Sequence, residues 1–187
     1  IHILEKTLKE IPEFIIPNAI ICDSKKNKQA VGVCLPYRSD SKNLWNYLEN
    51  QSISKIKEYY KKYADIIGHL NTIGWFWGDA TPYNVLVEPD GKLSLIDLDS
   101  AGYGQYKNDC TNKLTNRYLI ETGAATHEQL RHYWCQNANY DRLTVLLAYV
   151  YQIYKEEYID VVKNMSFQNI FDKNEINQIY LVLKNFI

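Results

Sequence analysis

Apolar residues recur at helical spacing in some parts of the chain and gather into short Ile- and Val-rich runs in others. Ile1, Leu4, Leu8 and Ile11 follow the rhythm of one helix face. Pro12 and Pro17 end it. Residues 18–22 and 30–35 are short apolar runs on either side of the polar segment 23–28, which predicts a β-hairpin. Residues 36–40 leave that hairpin as a linker. Ser41 is placed to cap a helix through Asn50, with Leu44, Trp45 and Leu48 on one face. Ser52 opens a longer helix to about Thr72, whose Ile53, Ile56, Tyr60, Tyr63, Ile66, Ile67 and Leu70 share a stripe. Gly74 supplies the stop.

Beyond Gly74 the pattern changes. WFWGDATPYN at 75–84 predicts a loop, VLVE at 85–88 a strand, Pro89-Asp90-Gly91 a turn, and KLSLID at 92–97 a second strand. Gly102, Gly104, Asp109, Thr111, Asn112 and Thr115 mark a long irregular stretch. Helices are expected over 126–137 and over 140–158, the second being the most apolar of the chain. A last helix is expected from an Asn174 cap to Ile187. The chain has no internal repeat and no low-complexity segment.

Composition narrows the class. With 187 residues, 46% hydrophobic and 23% charged, the chain is globular. A chain of that size buries roughly 70% of its unfolded surface. The 21 Lys and Arg against 22 Asp and Glu leave a net charge of −1, so no case arises for nucleic acid or an anionic membrane. The apolar run 144–154 is interrupted by Gln152 and is far too short to span a bilayer. No secretory signal pattern is expected at the start. Ile1 is not a start methionine, which implies a fragment or a processed product. Cys22, Cys34, Cys110 and Cys135 form no C-x-x-C pair, so a zinc site is not expected. They are expected to be reduced, mostly buried thiols of a cytoplasmic protein.

The chemistry concentrates in 78–99. Asp79 is followed five residues later by Asn84, which leads into the 85–97 hairpin, and the second strand of that hairpin delivers Asp97. Three oxygen-bearing side chains thus reach the mouth of one small sheet. Phosphoryl transfer needs such a set: a carboxylate to take the proton of the attacking hydroxyl, and oxygen ligands for Mg²⁺ bridging nucleotide phosphates. Asp79 and Asn84 alone would be ordinary turn residues; the hairpin and Asp97 set them apart.

G-D-x-x-P-x-N-V-L-V at 78–87 and D-G-K-L-x-L-I-D at 90–97 resemble the catalytic loop and metal-binding segment of the protein-kinase-like superfamily. The flavour is that of its atypical bacterial branches, the aminoglycoside-phosphotransferase-like, lipopolysaccharide-kinase-like and Ser/Thr kinases. IDLDS at 96–100 and VGVCLPYRS at 31–39 are most similar to the last group. The resemblance covers about residues 14–155. It implies an α+β, protein-kinase-like fold: a mainly helical C-terminal lobe with two short β-hairpins and the N-terminal lobe largely absent. Residues 1–38 would be the remnant of the N-terminal lobe and hinge, and 39–187 the C-terminal lobe.

Asp79 would then be the catalytic base, and Asn84 and Asp97 the Mg²⁺ ligands. Cys34, Leu35 and Pro36 would form the hinge along adenine, and Leu86 and Ile96 would join them in holding the nucleotide. Asp141 resembles the helix aspartate that braces the catalytic loop, and residues 117–121 the end of an activation segment. The implied cofactors are ATP and Mg²⁺, and the implied function is a bacterial protein Ser/Thr kinase. A pseudokinase or interaction scaffold, and a sugar or antibiotic kinase, are the alternatives.

Departures accompany the likeness. Trp77 stands where many kinases have His, Thr81 where protein kinases usually have Lys, and Asp97-Leu98-Asp99 replaces Asp-Phe-Gly. Asp99 is expected to cap the following loop rather than bind metal. No Gly-rich loop or strand lysine precedes Gly32, and only Glu5 or Glu10 remains to partner such a lysine. The roof over the nucleotide is therefore expected to be missing, with a partner chain or self-association at the exposed hinge and hairpin, and a protein substrate or partner chain is the expected macromolecular partner.

Overall fold

A computed structural model describes residues 11–23, 29–104, 106–107, 112–123, 125–128, 135–136 and 138–164. Residues 1–10 of the expected first helix, with Glu5 and Glu10, the final helix at 174–187, and Cys110 lie outside the described residues.

β1 (Ala19–Cys22) and β2 (Ala30–Cys34) form the first hairpin, antiparallel, with Ala19 opposite Cys34. β3 (Lys42–Asn43) leads directly into α1 (Leu44–Leu48), and α2 (Ile53–Thr72) follows. Ser52 caps α2, its hydroxyl accepting from the Lys55 N–H at 3.3 Å, as its sequence position requires. Ile56, Tyr60, Tyr63, Ile67 and Leu70 of the expected stripe are buried along one face of α2, whereas Ile66 is half-buried and Ile53, in the first turn, is exposed. At its end Gly74 has φ 84° and donates its N–H to the Asn71 carbonyl. A Cβ there would lie 2.7 Å from the Tyr103 ring, so the position needs glycine twice over.

β4 (Trp75–Phe76), β5 (Val85–Val87), β6 (Leu93–Leu95), β7 (Gly102–Tyr103) and β8 (Tyr106–Lys107) come next. Then follow α3 (Lys113–Glu121), β9 (Cys135–Gln136), α4 (Ala138–Tyr154) and α5 (Tyr158–Lys163). The site-bearing sheet has the order β3-β5-β6, all antiparallel. Its open edge is closed by residues 13–15: Ile15 donates to the Leu95 carbonyl and Leu95 to the Glu13 carbonyl, both at 2.8 Å. Behind the sheet, α2 packs on α4, and Leu143, Leu147, Ala148 and Val150 of α4 are fully buried.

The structure corrects several expectations. Asn43, not Ser41, caps α1, accepting from the Asn46 N–H at 2.8 Å, because pairing with β5 holds Lys42 and Asn43 extended. Residues 75–76 are a strand, not a loop, paired with Tyr103 and Gly102. The stretch expected to be irregular contains α3, whose cap is Asn112. A helix over 126–137 is overruled at its end by β9, which pairs with β8. The apolar helix stops at Tyr154 rather than Tyr158, since Lys155 takes φ 51° and opens a 3₁₀ turn at Lys155–Glu157. Cys22 and Cys34 are exposed rather than buried, because nothing among the described residues covers the β1–β2 hairpin.

Candidate functional site

Trp77 anchors the site. It is wholly buried, edge-on to Phe14 (5.6 Å between centroids) and to Tyr63 (6.2 Å). Its backbone N–H donates to Asp141 Oδ2 at 2.5 Å, and the Gly78 N–H donates to Asp141 Oδ1 at 2.9 Å. Gly78 has φ 83°, a left-handed turn that a side chain would strain. The Trp77 indole N–H donates to the Asp97 carbonyl at 2.8 Å. One residue therefore ties the start of the 77–84 loop to α4 and, across the hairpin, to the segment after β6. Asp141 sits as the brace the sequence implies.

Beyond Gly78 the chain turns tightly. Thr81 donates to the Asp79 carbonyl (2.7 Å) and Asn84 to the Thr81 carbonyl (3.0 Å), with Pro82 opening the 3₁₀ turn Pro82–Asn84. Asn84 Nδ2 donates to Asp79 Oδ2 at 2.9 Å. With its amide nitrogen committed, the acceptor that Asn84 retains for a cation is Oδ1. The Asn84 carbonyl accepts from the Ile96 N–H at 2.9 Å, one rung beyond the β5–β6 ladder. That rung places Asp97 beside the Asp79–Asn84 pair. Asp97 has φ 65°, a conformation aspartate tolerates better than most residues.

Asp79, Asp97 and Asp99 act on one another electrostatically at this end of the sheet. Burial pushes the Asp79 carboxyl up; the Asn84 hydrogen bond opposes this and the Asp99 charge adds to it. Asp97 is also raised, first by desolvation, then by the charge of Asp99 and a hydrogen bond to it, and then by the charge of Asp79. Burial pushes Asp141 up to about 7 against the pull of its two amide donors. Like-charge crowding among oxygen donors suits a hard divalent cation, which would relieve it. Among the described residues no three or more His, Cys, Asp and Glu side chains gather into a metal centre. The fit to Mg²⁺ therefore rests on Asn84 together with Asp97.

The structure brings Asp79, Asn84, Ile96 and Asp97 together. Leu86 is half-buried on β5, opposite Ser94. Cys34 and Leu35 are exposed and Pro36 is half-buried. The Cys34 carbonyl accepts from the Asn18 N–H at 2.9 Å, and Pro36 has no N–H to offer. Among the described residues no hydrogen bond joins Cys34, Leu35 or Pro36 to the Asp79 group. Asp99 accepts from the Ser100 hydroxyl at 3.3 Å and faces Asp97.

Sequence reasoning missed Glu88. Its carboxylate accepts from Ser41 Oγ and Ser94 Oγ, both at 2.8 Å, and pairs with Arg38 at 3.4 Å. It fastens the 36–41 linker to the site-bearing hairpin. Ser41 lies 47 residues away in the chain, so no local pattern announces the contact.

No family model matches the chain, and no curated protein matches it either. Solved structures do. A rhoptry kinase from Toxoplasma gondii aligns over 79% of this chain and 44% of its own, at 13% identity and a TM-score of 0.55. A Toxoplasma gondii specific rhoptry antigen kinase domain aligns over 97% and 57%, at 14% identity and a TM-score of 0.57. The fold is protein-kinase-like. The chain spans about half the length of the kinase structures it matches. Among the described residues, no helix is long and apolar enough to cross a membrane.

Proposed function

We propose that the chain is part of an ATP- and Mg²⁺-dependent phosphotransferase, a protein Ser/Thr kinase of an atypical bacterial kind. Residues 39–187 would form its C-terminal lobe and 1–38 the remnant of the N-terminal lobe and hinge. The observation that supports it most is the Asp79–Asn84 hydrogen bond at the mouth of the hairpin that presents Asp97. Asp79 accepts the proton of the acceptor hydroxyl as its oxygen attacks the γ-phosphorus. The bond from that phosphorus to the bridging oxygen breaks, and ADP leaves. Asn84 Oδ1 and the Asp97 carboxylate would hold Mg²⁺, which neutralises phosphate charge when bound. Cys34, Leu35, Pro36, Leu86 and Ile96 would line the base and its approach. Catalysis of this type is mostly positioning and charge compensation. The brace from Asp141 supplies positioning by fixing the backbone two residues before Asp79.

The exposed hinge and hairpin favour a second reading, a pseudokinase whose lobe is an interaction scaffold. Calorimetry of ATP binding with and without Mg²⁺, on this chain and on Asp97→Ala, separates the two. Mg²⁺-dependent binding lost in Asp97→Ala supports the enzyme; absence of binding by the unaltered chain supports the scaffold.

A further inference from the structure

Ser94 and Leu95, adjacent on β6, receive both ends of the first hairpin. The incoming end is fixed by backbone: Ile15 donates to the Leu95 carbonyl and Leu95 to the Glu13 carbonyl. The outgoing end is fixed by side chains. Residues 37–40 are exposed, and the linker reaches the body of the fold through Arg38 and Ser41, both on Glu88. Asp40, at φ 62°, turns the chain just before Ser41. One Glu88 oxygen accepts from Ser41 Oγ and the other from Ser94 Oγ, each at 2.8 Å, so the carboxylate is a bridge from the linker to β6. Among the described residues, nothing in β1 or β2 is hydrogen-bonded beyond the hairpin itself and Asn18.

β6 then runs straight into the candidate site. The Ile96 N–H donates to the Asn84 carbonyl, and the Asp97 carbonyl accepts from the Trp77 indole. Holding the linker down does not by itself call for Ser94, because Lys42, next after Ser41, is already paired with Val87 of β5. The bond to Ser94 carries the clasp across to the strand that ends at Asp97. The Glu88 side chain is only 17% exposed and Ser94 is buried, so bulk water does not freely replace a donor lost there.

We propose that Glu88 is a positioning residue that couples the first hairpin to Asp97. Through Ser41 and Arg38 it sets where residues 34–36 stand; through Ser94 it steadies β6 two residues before Ile96; the two placements are therefore set together. This deepens the phosphotransferase reading, in which residues 34–36 line the base and Asp97 holds Mg²⁺. The coupling itself needs neither ligand.

Amide hydrogen exchange of the chain without nucleotide tests it, together with the Trp77 indole N–H resonance, assigned by its contacts with the Phe14 and Tyr63 rings. Ser41→Ala cuts the linker side of the bridge alone. It should speed exchange of the Ile96 amide about three- to tenfold, and by more than it speeds Leu147 of α4, and it should shift the Trp77 indole signal. Ser94→Ala should do the same, and adding Ser41→Ala to it should change Ile96 little further, because both act through one carboxylate. Glu88→Gln can still bond both hydroxyls and should retain most of the protection that Glu88→Ala loses. An unchanged Ile96 amide in Ser41→Ala would confine the clasp to the linker. Equal acceleration at Ile96 and Leu147 would make Glu88 a contributor to stability alone. Either result overturns the coupling. If Ile96 responds as expected and the unaltered chain binds no ATP with Mg²⁺, the coupling stands and the phosphotransferase reading fails.

Discussion

The two hairpins are built from the same kinds of residue and end in opposite environments. In β5–β6, Val85 and Leu95 are fully buried and Val87 and Leu93 nearly so. In β1–β2, Ile20, Ile21, Val31 and Val33 are each about half exposed, from 48% to 61%. Ile20 and Ile21 are neighbours on one strand and so point to opposite faces; both faces of β1–β2 are open. The difference lies in what surrounds each ribbon. β5–β6 is paired on both edges, by β3 and by residues 13–15, and backed by the helices. β1–β2 has no third strand among the described residues. A two-stranded hairpin alone is marginal in water, so the first hairpin is the part of this fold that calls for a cover. Apolar runs identify strands, but they do not say whether the cover lies within the same chain.

The largest effect separating the two hairpins should come from truncating their aliphatic residues. Leu95→Ala removes a wholly buried side chain and should cost about 2–5 kcal/mol in urea unfolding. A loss below about 1 kcal/mol would mean that the second hairpin is far less enclosed than described.

A smaller effect distinguishes the buried side by pH. Asp141 titrates near 7 in the fold and in the ordinary carboxylate range when unfolded. Between about pH 4 and 7 the folded chain therefore holds a proton that the unfolded chain has released. The stability it contributes is complete below about pH 4 and is lost as the pH rises through 7, a change of a few kcal/mol. Denaturation measured across that window should show a downward slope that flattens in Asp141→Asn. An equal slope in both proteins would assign the titration to another group.

The smallest effect belongs to the first hairpin. Val33→Ala should change the stability of the chain by less than about 0.5 kcal/mol. The same change should weaken any self-association or partner capture detected by sedimentation. A loss as large as that of Leu95→Ala would show that the hairpin is covered from within the chain.

What could be read from the sequence follows the range of the forces involved. Ser52, Gly74 and the Pro89-Asp90-Gly91 turn act within a few residues, and their elements came out where the pattern put them. The Asp79–Asn84 pair is likewise local. In the sequence Asn112 and Thr115 look like loop markers because cap residues and loop residues are the same types; in the fold the Asn112 side chain accepts from the Thr115 N–H and starts α3. Ser41 and Asn43 are both good caps, and pairing with Leu86 and Val87, far along the chain, decided between them. β4 depends wholly on Gly102 and Tyr103, and the Glu88 clasp on Arg38 and Ser41. No window of neighbouring residues contains those partners. Placing Asp79 beside Asn84 needed one turn of chain, whereas the exposure of Cys34 and Leu35 depended on what does not pack against them.

The brace beneath the candidate site has a consequence for how the protein comes into being. Asp141 follows Trp77 by 64 residues. During synthesis the loop at 77–84 emerges long before the carboxylate that satisfies its amides. Both hairpins, α1 and α2 can therefore form on the ribosome while the loop that carries Asp79 waits for α4. Any nascent chain stopped before residue 141 would carry every side chain of the candidate site and lack the means to hold them still. Completion of the fold and readiness of the candidate site then become a single late event, with long-range closure rather than local folding setting the pace.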